Sequence, residues 1–131
     1  SGKPLTIVGN GSQKRDFIHV KDVANAFFQL HKKPSSENIF NLGAGNPVTV
    51  KKLAEIIGGD IEFIKKRPGE PEVTWANITR IQNELNWSPL ISFEDGVKEM
   101  IDNIKEWEDA PLWDKSNIAE ATKTWFKYLD K

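Results

Sequence analysis

Gly9-Asn10-Gly11-Ser12-Gln13-Lys14-Arg15-Asp16-Phe17-Ile18-His19-Val20-Lys21-Asp22-Val23-Ala24 is the stretch on which the fold of this chain turns. Its first four residues are a turn cluster that closes the β-prone run Leu5-Thr6-Ile7-Val8. Arg15 then stands at the start of an expected second strand, Asp16-Phe17-Ile18-His19-Val20. Lys21 or Asp22 opens a helix, because Val23, Ala24, Phe27, Leu30 and His31 recur on one face. Strand, glycine turn, strand and helix in one short window put the chain in a mixed α and β class.

The flanking sequence continues that alternation. Asn38-Ile39-Phe40-Asn41-Leu42 is apolar enough for a buried third strand, and it runs into Gly43-Ala44-Gly45-Asn46-Pro47. Thr49 is placed to cap a helix with the apolar set Val50, Leu53, Ala54 and Ile57, stopped by Gly58-Gly59. A strand from Ile61 to Ile64 enters the loop Arg67-Pro68-Gly69-Glu70-Pro71, and Val73-Thr74-Trp75 is extended. Asn77 can cap a short helix through Ile78, Ile81 and Leu85, which Trp87-Ser88-Pro89 breaks. Ser92-Phe93-Glu94-Asp95 has the form of a capping box with Asp for Glu. Behind it Phe93, Val97, Met100, Ile101, Ile104 and Trp107 make the clearest amphipathic stripe. After Pro111 a last helix from about Ser116 carries Ile118, Ala121, Trp125 and Leu129.

Length and composition narrow the function classes. At 131 residues the chain suits one domain, 1–131, and is too short for two. Lys+Arg of 18 against Asp+Glu of 19 gives a net charge of −1, so no general attraction draws it to nucleic acid or anionic lipid. An anion would have to be held by a few placed arginines or lysines. With no cysteine there is no disulfide, thiolate nucleophile or Cys-ligated zinc, a composition compatible with the cytoplasm. No apolar run approaches the roughly 20 residues of a membrane span. Ser1-Gly2-Lys3-Pro4 lacks the apolar core of a signal peptide, and residues 1–3 read as a cloning remnant or internal cut.

Several residues look chemical and are better read as structural. Gly43-Ala44-Gly45 opens like a dinucleotide fingerprint, but Val48 stands where the third small residue belongs, so a tight turn is the better reading. Tyr128 and Lys131 sit at the chain end beside an amphipathic helix, where packing and helix-end solvation explain them. His19 and His31 have no second ligand at metal spacing.

Two arginines stand where an anion site would be built. Arg15 follows the glycine turn, and Arg67 leaves a strand into a Pro-Gly loop with Glu70 just beyond. The guanidinium fork matches phosphate oxygens with paired hydrogen bonds, and a carboxylate such as Glu70 accepts well from ribose hydroxyls. Spacing alone leaves open, and favours, a plainer arrangement: Arg15 paired to Asp16, and Arg67 to Glu70 or Glu72.

The quoted window resembles the corresponding stretch of extended short-chain dehydrogenases that act on nucleotide sugars, the NAD-dependent, UDP-glucose 4-epimerase-like epimerases and dehydratases. Asn38-Ile39-Phe40-Asn41-Leu42-Gly43 and Arg67-Pro68-Gly69-Glu70 resemble that family's later strand and arginine loop. Leu85-Asn86-Trp87-Ser88-Pro89 and Phe93-Glu94-Asp95-Gly96 follow in family order and at family spacing, so the resemblance covers roughly residues 4 to 105. Asn10 and Asn77 are departures, standing where the family commonly has Asp. Residues 108–131 form a helical tail that is not diagnostic.

The resemblance implies a C-terminal, α+β substrate-binding part of an α/β enzyme, with the Rossmann core itself absent. It implies that Arg15 and Arg67 clamp the diphosphate of a nucleoside-diphosphate sugar, UDP-linked by preference, and that Glu70 holds the ribose. Val8 would line the base pocket, Phe17 would lie near the sugar nucleotide, and Gln13 would be a further donor. Residues 16–42 would complete the sheet of an N-terminal cofactor domain, with Asn38 to Leu42 as its edge strand. The glycine fingerprint and the Tyr-x-x-x-Lys pair would lie upstream, so NAD would belong to the full-length parent, with none bound by this part, which would not be catalytic alone. Homo-oligomers remain open, and the alternative is a non-catalytic binding or assembly module derived from the same family.

Overall fold

The computed structural model describes residues 2–33, 35 and 39–130. In chain order the elements are β1 (Leu5–Val8), β2 (Lys14–Arg15), α1 (Val20–Lys32), β3 (Val48–Thr49), α2 (Val50–Ile57) and β4 (Ile61–Ile64). They are followed by α3 (Thr79–Leu85), α4 (Phe93–Asp102), a 3-10 turn (Ile104–Trp107) and α5 (Lys115–Leu129). The class is α/β.

β1 and β4 run parallel, with Leu5 opposite Ile61 and Val8 opposite Ile64. A parallel pair needs a crossover; the connection here carries both α1 and α2, and α2 is the helix that packs on β1. α2 begins where the Thr49 hydroxyl accepts the Lys52 N–H at 3.1 Å, and it ends at Gly58. Its Ala54 and the Ile7 side chain of β1 are both buried. β2 and β3 form a second, antiparallel pair, with Lys14 opposite Thr49 and Arg15 opposite Val48. A separate apolar cluster joins α1 to α3: Ala26, Ile81, Leu85 and Trp87 are buried, flanked by Ile18, Leu30, Phe40, Leu42 and Ile78. Among the described residues no helix is long and apolar enough to cross a membrane.

Local signals set most element ends. Ser92 caps α4, its hydroxyl accepting the Asp95 N–H at 3.0 Å. Asp114 caps α5 in a reciprocal box with Asn117, so that helix starts at Lys115. Asn77 accepts the Thr79 N–H at 3.0 Å, serving the first turn of α3 although the helix begins two residues later.

Two expected strands do not form. Over Asp16-Phe17-Ile18-His19-Val20 the chain leaves β2 at Arg15, because long-range and capping bonds claim it. Asp16 takes backbone N–H groups from distant loops, and His19 caps α1 by accepting the Lys21 N–H at 3.3 Å. α1 therefore starts at Val20, ahead of Lys21 or Asp22. Residues 39–42 carry no strand pairing among the described residues; Phe40 and Leu42 pack on the α1–α3 cluster instead. Asn38 of that expected strand lies outside the described residues. The α4 stripe is amphipathic but uncovered, with Met100, Ile101, Ile104 and Trp107 exposed.

Candidate functional site

β1 and β4 end side by side, and both chains leave the sheet at the same edge. Gly9 N–H donates to Ile64 O at 2.9 Å, so the turn 9–12 and the loop 65–71 start from adjacent points. The carboxyl ends of parallel strands in open α/β sheets are where such folds bind ligands. The turn is tight: Gly11 has φ +76°, and a Cβ there would meet Lys51 Cβ at 3.0 Å and Ile7 Cγ2 at 3.1 Å. Asn10 Oδ1 braces it by accepting the Ser12 N–H at 3.0 Å.

The loop is stitched back to the β2 strand. Lys14 N–H donates to Glu72 O at 2.7 Å, and Thr74 N–H donates to Lys14 O at 3.1 Å. Arg15 then reaches across it, donating to Glu70 Oε1 at 2.9 Å and to Pro71 O at 3.0 Å. Both members of this ion pair are about three-quarters buried, at 23% and 22% side-chain exposure. Gln13 Nε2 donates to Val8 O at 2.9 Å, holding the turn against the strand end. Val8, Gly9, Asn10, Ser12, Gln13, Lys66, Glu70, Pro71 and Glu72 line a small, partly open pocket of about 20 Å³. That volume suits a water. A nucleotide would have to part the Arg15–Glu70 loop contact to enter it.

The family model described as GDP-mannose 4,6 dehydratase matches residues 1–100. The chain belongs to the nucleotide-sugar epimerase and dehydratase family of extended short-chain dehydrogenases. A UDP-glucuronate 4-epimerase of Thermodesulfobacterium geofontis is 34% identical over 123 residues, 88% of this chain and 35% of that protein. UDP-glucuronic acid 4-epimerase from Bacillus cereus, solved with UDP-glucuronic acid and NAD, matches with TM-score 0.70 and 31% identity, covering 80% of this chain and 36% of that one. dTDP-glucose 4,6-dehydratase from Bacillus anthracis, solved with NAD, gives TM-score 0.72 and 28% identity, covering 83% and 37%. The chain thus spans about a third of the length of these epimerase and dehydratase relatives.

Against this family frame, the six residues singled out from the sequence divide. Val8, Gln13 and Glu70 line one cavity, and Arg15 joins them through Glu70. Arg67 sits half-buried in the same loop and makes no hydrogen bond or ion pair with the described residues. Phe17 is elsewhere. Its ring lies 5.2 Å from that of Phe93, in an apolar concavity shared with Leu53, Ile91 and Met100.

The plain ion-pair arrangement is realised for Arg15, but with Glu70 in place of Asp16. Glu72 pairs with Lys66, not with Arg67. At the Asn10 and Asn77 departures each side chain supplies the oxygen acceptor that Asp would supply.

What the sequence reading missed is the work of two aspartates. Asp16 accepts the N–H groups of Ala44 at 2.9 Å, Gly45 at 3.3 Å and Ala76 at 3.1 Å. Asp22, 3% exposed, accepts those of Leu90 at 3.0 Å and Ile91 at 3.1 Å. Each carboxylate takes backbone donors from segments remote in sequence and so fixes the frame behind Arg15. The available signal was slight: each acid follows a basic residue and precedes an apolar one, Arg15-Asp16-Phe17 and Lys21-Asp22-Val23, and only Asp22 shares a helix with the core residue Ala26.

Proposed function

We propose that this chain is the part of an NAD-dependent nucleotide-sugar epimerase or dehydratase that binds the nucleoside diphosphate of the sugar substrate. The observation that carries the reading is Arg67, half-buried and making no hydrogen bond or ion pair with the described residues, in the loop whose Glu70 is held by Arg15. A guanidinium kept from water on part of its surface and left unpaired by the described residues is a ready partner for phosphate oxygens. Arg15, once its loop contact parts, is the second arm of that clamp. Glu70 keeps Oε2 for a ribose hydroxyl while Oε1 faces Arg15. Val8 walls the base side, and Gln13 offers its second amide hydrogen.

Ala44 and Gly45 have their N–H groups turned onto Asp16, so the glycine pair here does not fit a dinucleotide pyrophosphate. NAD chemistry accordingly belongs to the rest of the parent protein, where it supplies hydride transfer to and from the sugar. In this reading the residues of this chain bind and orient the substrate.

Calorimetric titration with UDP, and in parallel with dTDP and GDP, tests the reading. UDP should bind saturably, and Arg67→Ala should weaken it by about 2 kcal/mol, roughly thirty-fold, the low end for losing one partner of a charged contact. The melting temperature of the variant should stay near the parent's, because Arg67 makes no hydrogen bond or ion pair with the described residues. Unchanged UDP affinity in Arg67→Ala sinks the clamp.

A further inference from the structure

α5 lies outside the stretch that the family model matches, residues 1–100, yet it is fastened to the loop that carries Arg67. Trp125 Nε1 donates to Pro68 O at 2.7 Å. The Leu129 side chain lies over the next residue, with its Cδ1 3.7 Å from where a Gly69 Cβ would stand. Lys65, which leads β4 into the loop, pairs with Asp130 and sets its ammonium 4.7 Å from the centre of the Phe126 ring. At the other end of the helix Lys115 donates to Glu62 of β4 at 2.9 Å.

The loop is consequently gripped from two sides. Trp125 holds Pro68, and Arg15 holds Glu70 and Pro71. Arg67 stands at the entry to that gripped span. We propose that α5 is a strap that keeps the Pro68–Gly69 part of the nucleotide loop in place while the Arg15–Glu70 contact parts for the ligand, with Trp125 as the positioning residue. The proposal rests on the nucleotide reading above and adds the tail's part in it. A loop already ordered in the free protein loses less conformational freedom when the ligand arrives, so the strap raises affinity without touching the ligand. Trp125 is 42% exposed, which marks it as a fastening on the surface, and its replacement by Phe should leave the chain folded.

Backbone amide relaxation at Gly69 and Glu70, read beside a UDP titration, tests this in the parent chain, Trp125→Phe, Leu129→Ala and Arg67→Ala. Trp125→Phe removes the indole N–H and should drop the amide order parameters from a rigid value near 0.85 to below about 0.6. UDP affinity should fall about three- to ten-fold in the same variant, with the melting temperature unmoved. Leu129→Ala, which keeps the indole bond, should show the same two changes in smaller measure. A rigid loop in both variants overturns the strap, and so does a loosened loop that binds UDP as tightly as the parent. If Arg67→Ala binds UDP like the parent, the nucleotide reading fails on that arm alone. The positioning role then falls with it, while the relaxation data still report whether α5 fastens the loop.

Discussion

The segment from Gln13 to Leu30 and the segment from Phe93 to Leu129 hold to the rest of the chain by different physics. The first is fixed by two carboxylates that each gather backbone N–H groups from loops far along the sequence. The second, with Asp130 just after it, has no buried carboxylate of this kind. It meets its neighbours through exposed charge pairs such as Lys52 to Glu94, Lys21 to Glu99 and Lys65 to Asp130, through the indole bond of Trp125, and through partly exposed apolar contacts such as Phe93 on Phe17. A carboxylate turned from water must keep its donors, since losing them strands both partners. An exposed ion pair already has water as its alternative. The first region is therefore a rigid frame behind Arg15, and the second is an attachment that can loosen without unfolding the frame.

Asp22→Ala is the strongest way to break that contrast. It leaves the N–H groups of Leu90 and Ile91 without their acceptor and opens the joint between α1 and the loop before α4. Urea unfolding should show a loss of about 3 kcal/mol, set by two charge-assisted bonds with partial recovery by water. A loss no larger than that of an exposed pair would mean the buried carboxylate is not what fixes the frame.

Gly43→Ala probes the other carboxylate through shape. A Cβ at Gly43 would stand 2.6 Å from Ala76 Cβ and would also collide with the Asp16 carboxylate, so the clamp itself must move. The cost should be about 2 kcal/mol, within the usual range for forcing an extra group into a packed site. UDP affinity should fall too, because Asp16 adjoins Arg15 in the chain. Unchanged stability would show that the loop at Gly43 yields freely.

The frame was only partly legible in the sequence. β1, β4, α2, α4 and α5 follow from local patterns and from caps within a few residues, such as Thr49 and Ser92. Asp16 to Val20 and residues 39–42 read as strands because their side chains have strand composition, yet pairing depends on a neighbouring strand that no local pattern reports. The same limit applies to the site. Glu70 could be named from the loop it occupies and Val8 and Gln13 from the family resemblance, whereas Arg15 meeting Glu70 is a contact across 55 positions. Trp125 meeting Pro68, across 57, is another. Phe17 is implied by the family resemblance alone, and its ring packs 5.2 Å from that of Phe93.

Glu99→Gln sharpens the contrast from the weak side. Its hydrogen bond with Lys21 holds the Glu99 carboxyl below its ordinary value of 4.5, with the nearby His19 adding to the effect. A carboxyl with a lowered folded value stabilises the native state above the ordinary value, and that contribution fades as pH falls through the folded one. The urea midpoint of the parent should thus exceed that of Glu99→Gln slightly at pH 7, and the two should converge as pH drops below 4.5. Salt should shrink the gap at pH 7 as well, since the screening length falls to about 3 Å at 1 M. The gap between parent and Asp22→Ala should survive the same salt, because its bonds lie between a buried carboxylate and backbone. If 1 M salt erases both gaps alike, the two regions are held by one kind of interaction and the division between frame and attachment is lost.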